Sequence, residues 1–437
     1  MRKYVSSTKF GNLILIGFPA TLMMLRNSIP AWNTVWAEDG TIFYPQVQNI
    51  SIFHSLTQPY NGSYLFLTRL LFIPMRWIPI KFLSYYTFTI SFLTYTAILG
   101  MFVILLKSVL SKQSLFLLCS FFALNPMAGA ESLQNINNLP WFWVIGWSFY
   151  TYFGNPTRTF RIIYLIMTLI FCASLPLFPI FVVMSLFVKS SINYWRNTLN
   201  FINSVFLISV LAIGWIQLAL STSTRVHNLQ HINVLKALFD GVYRITIIPA
   251  LGILTYDLKN SSHPNQTNFR FALTSVSIIL ILSLIIFIFK LRLYKTDLVA
   301  RSLQFAVPLY ILTAVGIFIQ HSDFSNYYFS FALANGRYFV TSGFALIFIV
   351  VILNSFVFAK KGNRVLKIVL AMLSTILIFS SILNFSNNPS KFAPNFPHEI
   401  ANLKIRCELE KPKSVVVYVS PANNLWKTEI SCSKIKQ

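Results

Sequence analysis

The sequence predicts an all-α polytopic membrane protein of about eleven transmembrane helices, ending in a small outward C-terminal element that contains β-strand. Three observations predict it. Hydrophobic residues make up 55% of the 437 and charged residues only 11%, with a mean hydropathy of +0.64, outside the range of soluble domains. Apolar runs of near-membrane length recur along the whole chain. The basic residues, 35 Lys plus Arg against 11 Asp plus Glu for a net charge of +24, fall in short clusters between those runs. That is the positive-inside pattern. It leaves no basic face or stripe, so nucleic-acid binding is not supported.

The first apolar segment, Phe10 to Met24, follows Arg2, Lys3 and Lys9 as a signal peptide would, but no small-x-small cleavage site follows it. It reads as a retained span. Further spans are expected at roughly Tyr85–Leu106, Ser114–Met127, Trp141–Phe153, Phe160–Ser174, Leu177–Val188, Leu199–Leu220, Phe271–Phe289, Leu303–Gln320, Tyr338–Phe358 and Val365–Leu383. The clusters Lys107/Lys112, Arg158/Arg161, Lys189/Arg196, Lys290/Arg292/Lys295 and Lys360/Lys361/Arg364/Lys367 then share the cytoplasmic side with the N-terminus. This agreement requires Leu175–Pro179 to be a turn and Val234–Tyr256, broken by Asp240, Gly241 and Pro249, to lie re-entrant or along the surface.

Four polar stretches are thereby placed outside. They are the long loop from roughly Asn27 to Ser84, Ala128–Asn138, Ser221 to about Asn268, and the tail from Phe385. The chain divides into a membrane domain, residues 1–384, and an outward tail, residues 385–437. Residues 31–84 are read as an outward loop, the candidate catalytic loop, with an interfacial helix whose charged edge is expected at Arg69, Arg76 and Lys81, the other reading being that these cations face anionic lipid phosphate.

The most informative motif is Trp36-Ala37-Glu38-Asp39-Gly40. Acids are so scarce that the first 239 residues contain only Glu38, Asp39 and Glu131. Two adjacent carboxylates at a membrane edge fit charge or proton chemistry, while Asp39-Gly40 also suits a polar turn that caps a helix. Near Glu131 stand Asn135, Asn137, Asn138 and Trp141, amides that suit sugar hydroxyls or an ordinary polar loop. Arg337 and Tyr338 precede a span, where a guanidinium holds phosphate bidentately or anchors the chain at the interface. His227 and His231 are spaced i, i+4 but lack a third ligand, so no metal site is expected. Cys407 and Cys432 flank the strand-like run Ser414–Val419 and the segment Trp426–Ile430. A disulfide there would staple a small element with little core, the other reading being two free thiols. No P-loop, dinucleotide fingerprint, His-Glu-x-x-His or Gly-x-Ser-x-Gly is present.

An early acidic pair in the first outward loop, followed by an interfacial helix and about eleven spans, resembles the GT-C class of polyprenyl-phosphate-sugar-dependent membrane glycosyltransferases. The Asn-rich loop at Glu131, Gly336-Arg337-Tyr338 and the short outward tail are similar to the bactoprenol-linked O-antigen glucosyltransferases of serotype-converting bacteriophages. The resemblance implies inverting transfer of a sugar, glucose by that likeness, from a polyprenyl-phosphate donor to a hydroxyl of O-antigen or another surface polysaccharide. It implies a bacterial inner membrane location with the site and C-terminus periplasmic. Glu38 or Asp39 would be the base. Arg337 and Tyr338, with Arg225 and Arg244, would hold the donor phosphate, and Glu131, Asn135, Asn138 and Trp141 the acceptor or sugar. The resemblance fixes no cofactor; a divalent metal on the acid pair is compatible with it. A competing reading is a flippase or secondary transporter for a lipid-linked or glycan substrate.

Overall fold

Runs rich in Leu, Ile and Phe form helices here because, in an apolar setting, a helix satisfies its backbone N–H and C=O groups within one segment. The computed structural model describes residues 9–25, 31–60, 63–125, 135–154, 158–175, 178–190, 201–224, 279–320, 340–359, 364–385, 395–419 and 427–436. Their fold is mostly helical. The order is α1 (Lys9–Leu25), the short α2 (Tyr44–Asn49), α3 (Ile52–Thr57) and α4 (Phe66–Phe72), then α5 (Leu83–Leu106), α6 (Lys112–Ala123), α7 (Leu139–Phe153), α8 (Arg158–Cys172) and α9 (Phe178–Ser190). After α10 (Phe201–Thr224) come α11 (Ile279–Lys290), α12 (Asp297–Gln320), α13 (Val340–Ala359) and α14 (Arg364–Phe385).

Each apolar stretch expected to span thus carries a helix. Among the described residues, the helical run Ile80–Leu106, 27 residues, is long and apolar enough by length and composition to cross a membrane. Helices α10 and α12 have 24 residues each, α14 has 22 and α13 has 20, lengths of about 30 Å or more at about 1.5 Å per residue, while α6 has 12. Eleven crossings remain an expectation from the sequence.

Aromatic packing binds the helices. Phe102 of α5, Phe122 of α6, Phe149 of α7, Phe305 of α12 and Phe344 of α13 are fully buried, with Phe102 and Phe149 ring centroids 4.4 Å apart and Phe102 stacked on Phe344 at 5.0 Å. Trp147 Nε1 donates to Thr168 Oγ1 at 2.8 Å, joining α7 to α8. On the outside, α11 exposes Ile279, Leu282, Ile286 and Phe289, and α8 exposes Ile162, Ile163 and Ile166. Contiguous apolar stripes of this kind need an apolar medium or a partner.

The stretch Tyr64–Phe82 does not form one interfacial helix. Pro74 and Pro79 break it into α4 and two 3₁₀ turns, Ile73–Arg76 and Ile80–Phe82. Nor is Arg69 part of a charged edge. It is 1% exposed, donating from Nη1 to Gln46 Oε1 (2.7 Å) and the Ser55 carbonyl (2.9 Å) and from Nε to the Tyr64 carbonyl (3.2 Å). Loop carbonyls offered a better solvation shell than the surface. Burial pushes its pKa down to about 10, so it stays charged at neutral pH.

The tail folds as α15 (Phe396–Leu409), β1 (Ser414–Tyr418), β2 (Lys427–Ser431) and α16 (Cys432–Lys436). The strands pair antiparallel with Val416 opposite Glu429. Period-2 alternation turns Val415 and Val417 inward and leaves Val416 and Tyr418 exposed. Asn395 caps α15 through the His398 N–H, and Glu399 Oε1 accepts the Tyr418 N–H at 2.8 Å, tying helix to strand. Cys407 and Cys432 are joined in a disulfide, as the sequence suggests, both buried and 25 residues apart. Closing that loop is expected to stabilise the tail by about 3 kcal/mol. Alkylation followed by mass spectrometry should find both thiols blocked until reductant is added, whereas Cys407→Ser should release Cys432 to label and lower the tail's resistance to protease.

Candidate functional site

The acid pair sits where the chain turns from an extended entry into a single π-helical turn, Asp39–Phe43, that runs directly into α2. The backbone is helical from Ala37 onward. Gly40 N–H donates to the Trp36 carbonyl at 2.9 Å and Thr41 Oγ1 to the Ala37 carbonyl at 2.8 Å. Adjacent residues on a helical backbone point about 100° apart, so Glu38 and Asp39 face different surroundings.

Asp39 is fully buried. Its Oδ2 accepts the Ile136 N–H at 2.8 Å and its Oδ1 the Asn137 N–H at 3.3 Å, across 97 and 98 residues of sequence. Glu38 keeps 9% of its surface, and its Oε2 accepts from Asn135 Nδ2 at 3.2 Å. Asn135 is itself fully buried, and its Oδ1 shares the Asn137 N–H at 2.9 Å. The turn Ile136–Asn138 that follows opens α7, with Pro140 in the first helical turn. The Asn135–Asn138 turn is thereby locked onto the segment that carries the acid pair.

Burial pushes the Asp39 carboxyl well above the usual carboxylate range. The two backbone N–H groups pull it down and the neighbouring Glu38 carboxylate pushes it up, and the net direction is upward.

Of the other residues expected at the site, Asn138 is buried in the same turn, closing it with its N–H on the Asn135 carbonyl at 2.9 Å. Trp141 is buried one turn further into α7. Glu131, Arg225, Arg244, Arg337 and Tyr338 lie outside the described residues. Ile136 and Asn137 enter through backbone N–H groups, which no side-chain chemistry in the sequence advertises. Asn137 adds a second feature, a buried Oδ1 with no partner among the described residues.

The tail closes another side. A Cβ on Gly40 would lie 2.6 Å from Val419 Cγ1 and 3.0 Å from Val35 Cγ1, so only glycine allows this approach. Behind the pair, Phe43 stacks on Phe72 at 5.7 Å and receives the Arg69 guanidinium at 5.5 Å. Arg69 thus sits about one turn beyond Asp39, with its Nη2 unpartnered among the described residues.

Among the described residues, no three His, Cys, Asp or Glu side chains gather in a way that could hold a metal. Compared with protein-family models, with curated proteins and with solved structures, the chain matches none.

Two outcomes follow from this geometry. Asp39→Asn, neutral like the protonated acid, should preserve the fold, while Asp39→Ala, which strands the buried Ile136 N–H and leaves the Asn137 N–H to Asn135 Oδ1 alone, should cost about 1–3 kcal/mol. Because the folded pKa is raised, the stability owed to Asp39 is full below its ordinary value of 3.8 and lost as pH rises through the folded value. Thermal melts of the detergent-purified chain should therefore slope downward with pH more steeply for wild type than for Asp39→Asn. Separately, Gly40→Ala should destabilise by about 1–3 kcal/mol, and adding Val419→Ala should recover most of that loss.

Proposed function

We propose that the chain is a multi-pass glycosyltransferase of the bacterial inner membrane. It transfers a sugar, glucose by the resemblance, from a polyprenyl-phosphate donor to a hydroxyl of O-antigen or another surface polysaccharide on the periplasmic face. The observation that carries the reading is the division within the acid pair. Asp39 is sealed and saturated by backbone N–H groups, whereas Glu38 retains exposed surface and is oriented by the Asn135 amide.

On this reading Glu38 is the general base. Its carboxylate takes the acceptor hydroxyl's proton as that oxygen attacks the anomeric carbon from the face opposite the lipid phosphate. The anomeric C–O bond breaks, the electron pair leaves with the phosphate, and configuration inverts. Asp39 is a positioning residue that holds the Asn135–Asn138 turn against Glu38. The Asn137 Oδ1, without a partner among the described residues, supplies an acceptor suited to a sugar hydroxyl. Arg337, with Tyr338, Arg225 and Arg244, is assigned to the leaving phosphate, where a guanidinium neutralises charge as it develops.

Topology is supported from two directions. The basic clusters favour a cytoplasmic N-terminus. Contact of the tail with the 31–84 loop, at Gly40 with Val419 and at Asn49 with Lys434, requires both to lie on one side of any membrane, as eleven spans would leave them. The exposed apolar stripes of α8 and α11 are suited to lipid.

The deciding experiment expresses the chain in a host that makes lipid-linked glucose and weighs the surface polysaccharide. Added hexose is expected. Glu38→Gln should insert at wild-type abundance, because the Gln Oε1 still accepts from Asn135, yet lose about a hundredfold or more in transfer per molecule. Unchanged transfer in Glu38→Gln would end the assignment of the base. Lipid-linked glucose crossing the membrane without any hexose addition would favour the transporter reading instead. A periplasm-active reporter fused after Ile435 should be active, and one fused near Gly362 silent.

A further inference from the structure

The docked tail brings two cations together on neighbouring residues of the outward loop. Lys434 Nζ of α16 donates to Asn49 Oδ1 at 3.1 Å, and Arg76 Nη1 donates to the carbonyl of Ile50 at 2.8 Å. Both side chains are half-buried. Burial, then the facing Arg76 charge, pushes the Lys434 pKa down. The described ion pairs are Arg301 with Asp297 and Arg406 with Glu410, so among the described residues no carboxylate answers Lys434 or Arg76. Like charges held this close without a counter-charge destabilise a docked element unless an anion joins them.

What surrounds the seam indicates the anion. Trp77, the residue after Arg76, is 68% exposed, and Phe53, three residues beyond Ile50, is 77% exposed. Lys81 lies over the ring of Phe82, itself exposed, at 5.3 Å. Directly after comes the helical run Ile80–Leu106, the one described run long and apolar enough to cross a membrane. Exposed Trp and Phe with Arg and Lys at the mouth of a span mark the headgroup level of a bilayer, where phosphates are the abundant anions.

We propose that Arg76 and Lys434 together bind the phosphate of an anionic phospholipid headgroup, so that the membrane surface itself holds the C-terminal tail against the loop bearing the acid pair. The guanidinium fork takes two phosphate oxygens and the ammonium a third. The inference rests on the membrane part of the proposed function and not on its chemistry.

The test uses the full-length chain in nanodiscs of phosphatidylcholine alone or mixed with phosphatidylglycerol, with hydrogen exchange followed over residues 427–436. Phosphatidylglycerol should slow exchange there several-fold. Lys434→Gln and Arg76→Gln should each abolish that slowing, and Lys436→Gln, one turn end away and exposed, should keep it. Equal exchange in both lipids, or slowing that survives Lys434→Gln and Arg76→Gln, would overturn the proposal. So would loss of the effect in Lys436→Gln, which would mean diffuse charge attraction. Slowing by polyprenyl phosphate in phosphatidylcholine discs, with none from phosphatidylglycerol, would assign the two cations to the sugar donor and also overturn it. Extraction of the chain from membranes by alkaline carbonate would remove the membrane reading and this inference together. Absence of hexose addition in an inserted, lipid-responsive chain would remove only the glycosyltransferase reading.

Discussion

A carboxylate with no access to water must be answered from within the protein, and the answer given to Asp39 organises the outward face. Taking a carboxylate out of water costs several kcal/mol unless donors replace the lost hydration. Among the described residues the donors supplied are the Ile136 and Asn137 N–H groups. Satisfying Asp39 therefore fixes where the turn before α7 can lie. Once that turn is fixed, Asn135 reaches Glu38, and α7 enters the aromatic core at a set height beside α5. Gly40, the next residue, is pressed outward to where Val419 meets it.

Adjacent acids on helical backbone diverge, and divergence here separates a holding role from a reachable one. Asp39 turns inward, where burial favours its neutral form against the pull of two N–H groups. Glu38 turns toward the little surface that remains and is braced by the Asn135 amide. On the proposed function, a sequence with one acid at this point would have to hold the loop and meet a substrate with the same oxygens. Two adjacent acids remove that conflict without lengthening the loop.

The places of the helices were legible because apolar runs bounded by basic clusters leave few other options, and α5 begins within two residues of the stretch read as Tyr85–Leu106. The tail was legible for a local reason. A β-branched run over Ser414–Val419 between two cysteines announces a stapled strand. The acid pair was legible by scarcity, and Asn135 by its amide. What stayed hidden arises from long-range geometry. Backbone N–H groups carry no residue signature, so the role of Ile136 and Asn137 could not be read. Arg69 looked like a surface charge because Arg in an apolar stretch usually snorkels. It turned inward because Gln46, Ser55 and Tyr64 converge on it only after α2, α3 and α4 fold back on one another. The glycine of Asp39-Gly40 suggested turn punctuation, yet its use is to admit Val419, which lies 379 residues later in the chain.

Chain order gives the site a direction of assembly. Glu38 and Asp39 come early, their partners Asn135–Asn137 follow once α5 and α6 have formed, and the tail that meets Gly40 arrives last. Two of the three contributions can therefore join before the C-terminus is made. The third depends on a small two-stranded element, which has too little core to hold its shape alone and leans on the Cys407–Cys432 bridge. On the proposed topology that bridge forms only after the tail has reached the oxidising side of the membrane. Val419 then closes on Gly40 after the helices are in place, so completion of the site is coupled to correct delivery of the C-terminus, and a chain with an inverted last span would retain its acid pair without the wall that the tail supplies.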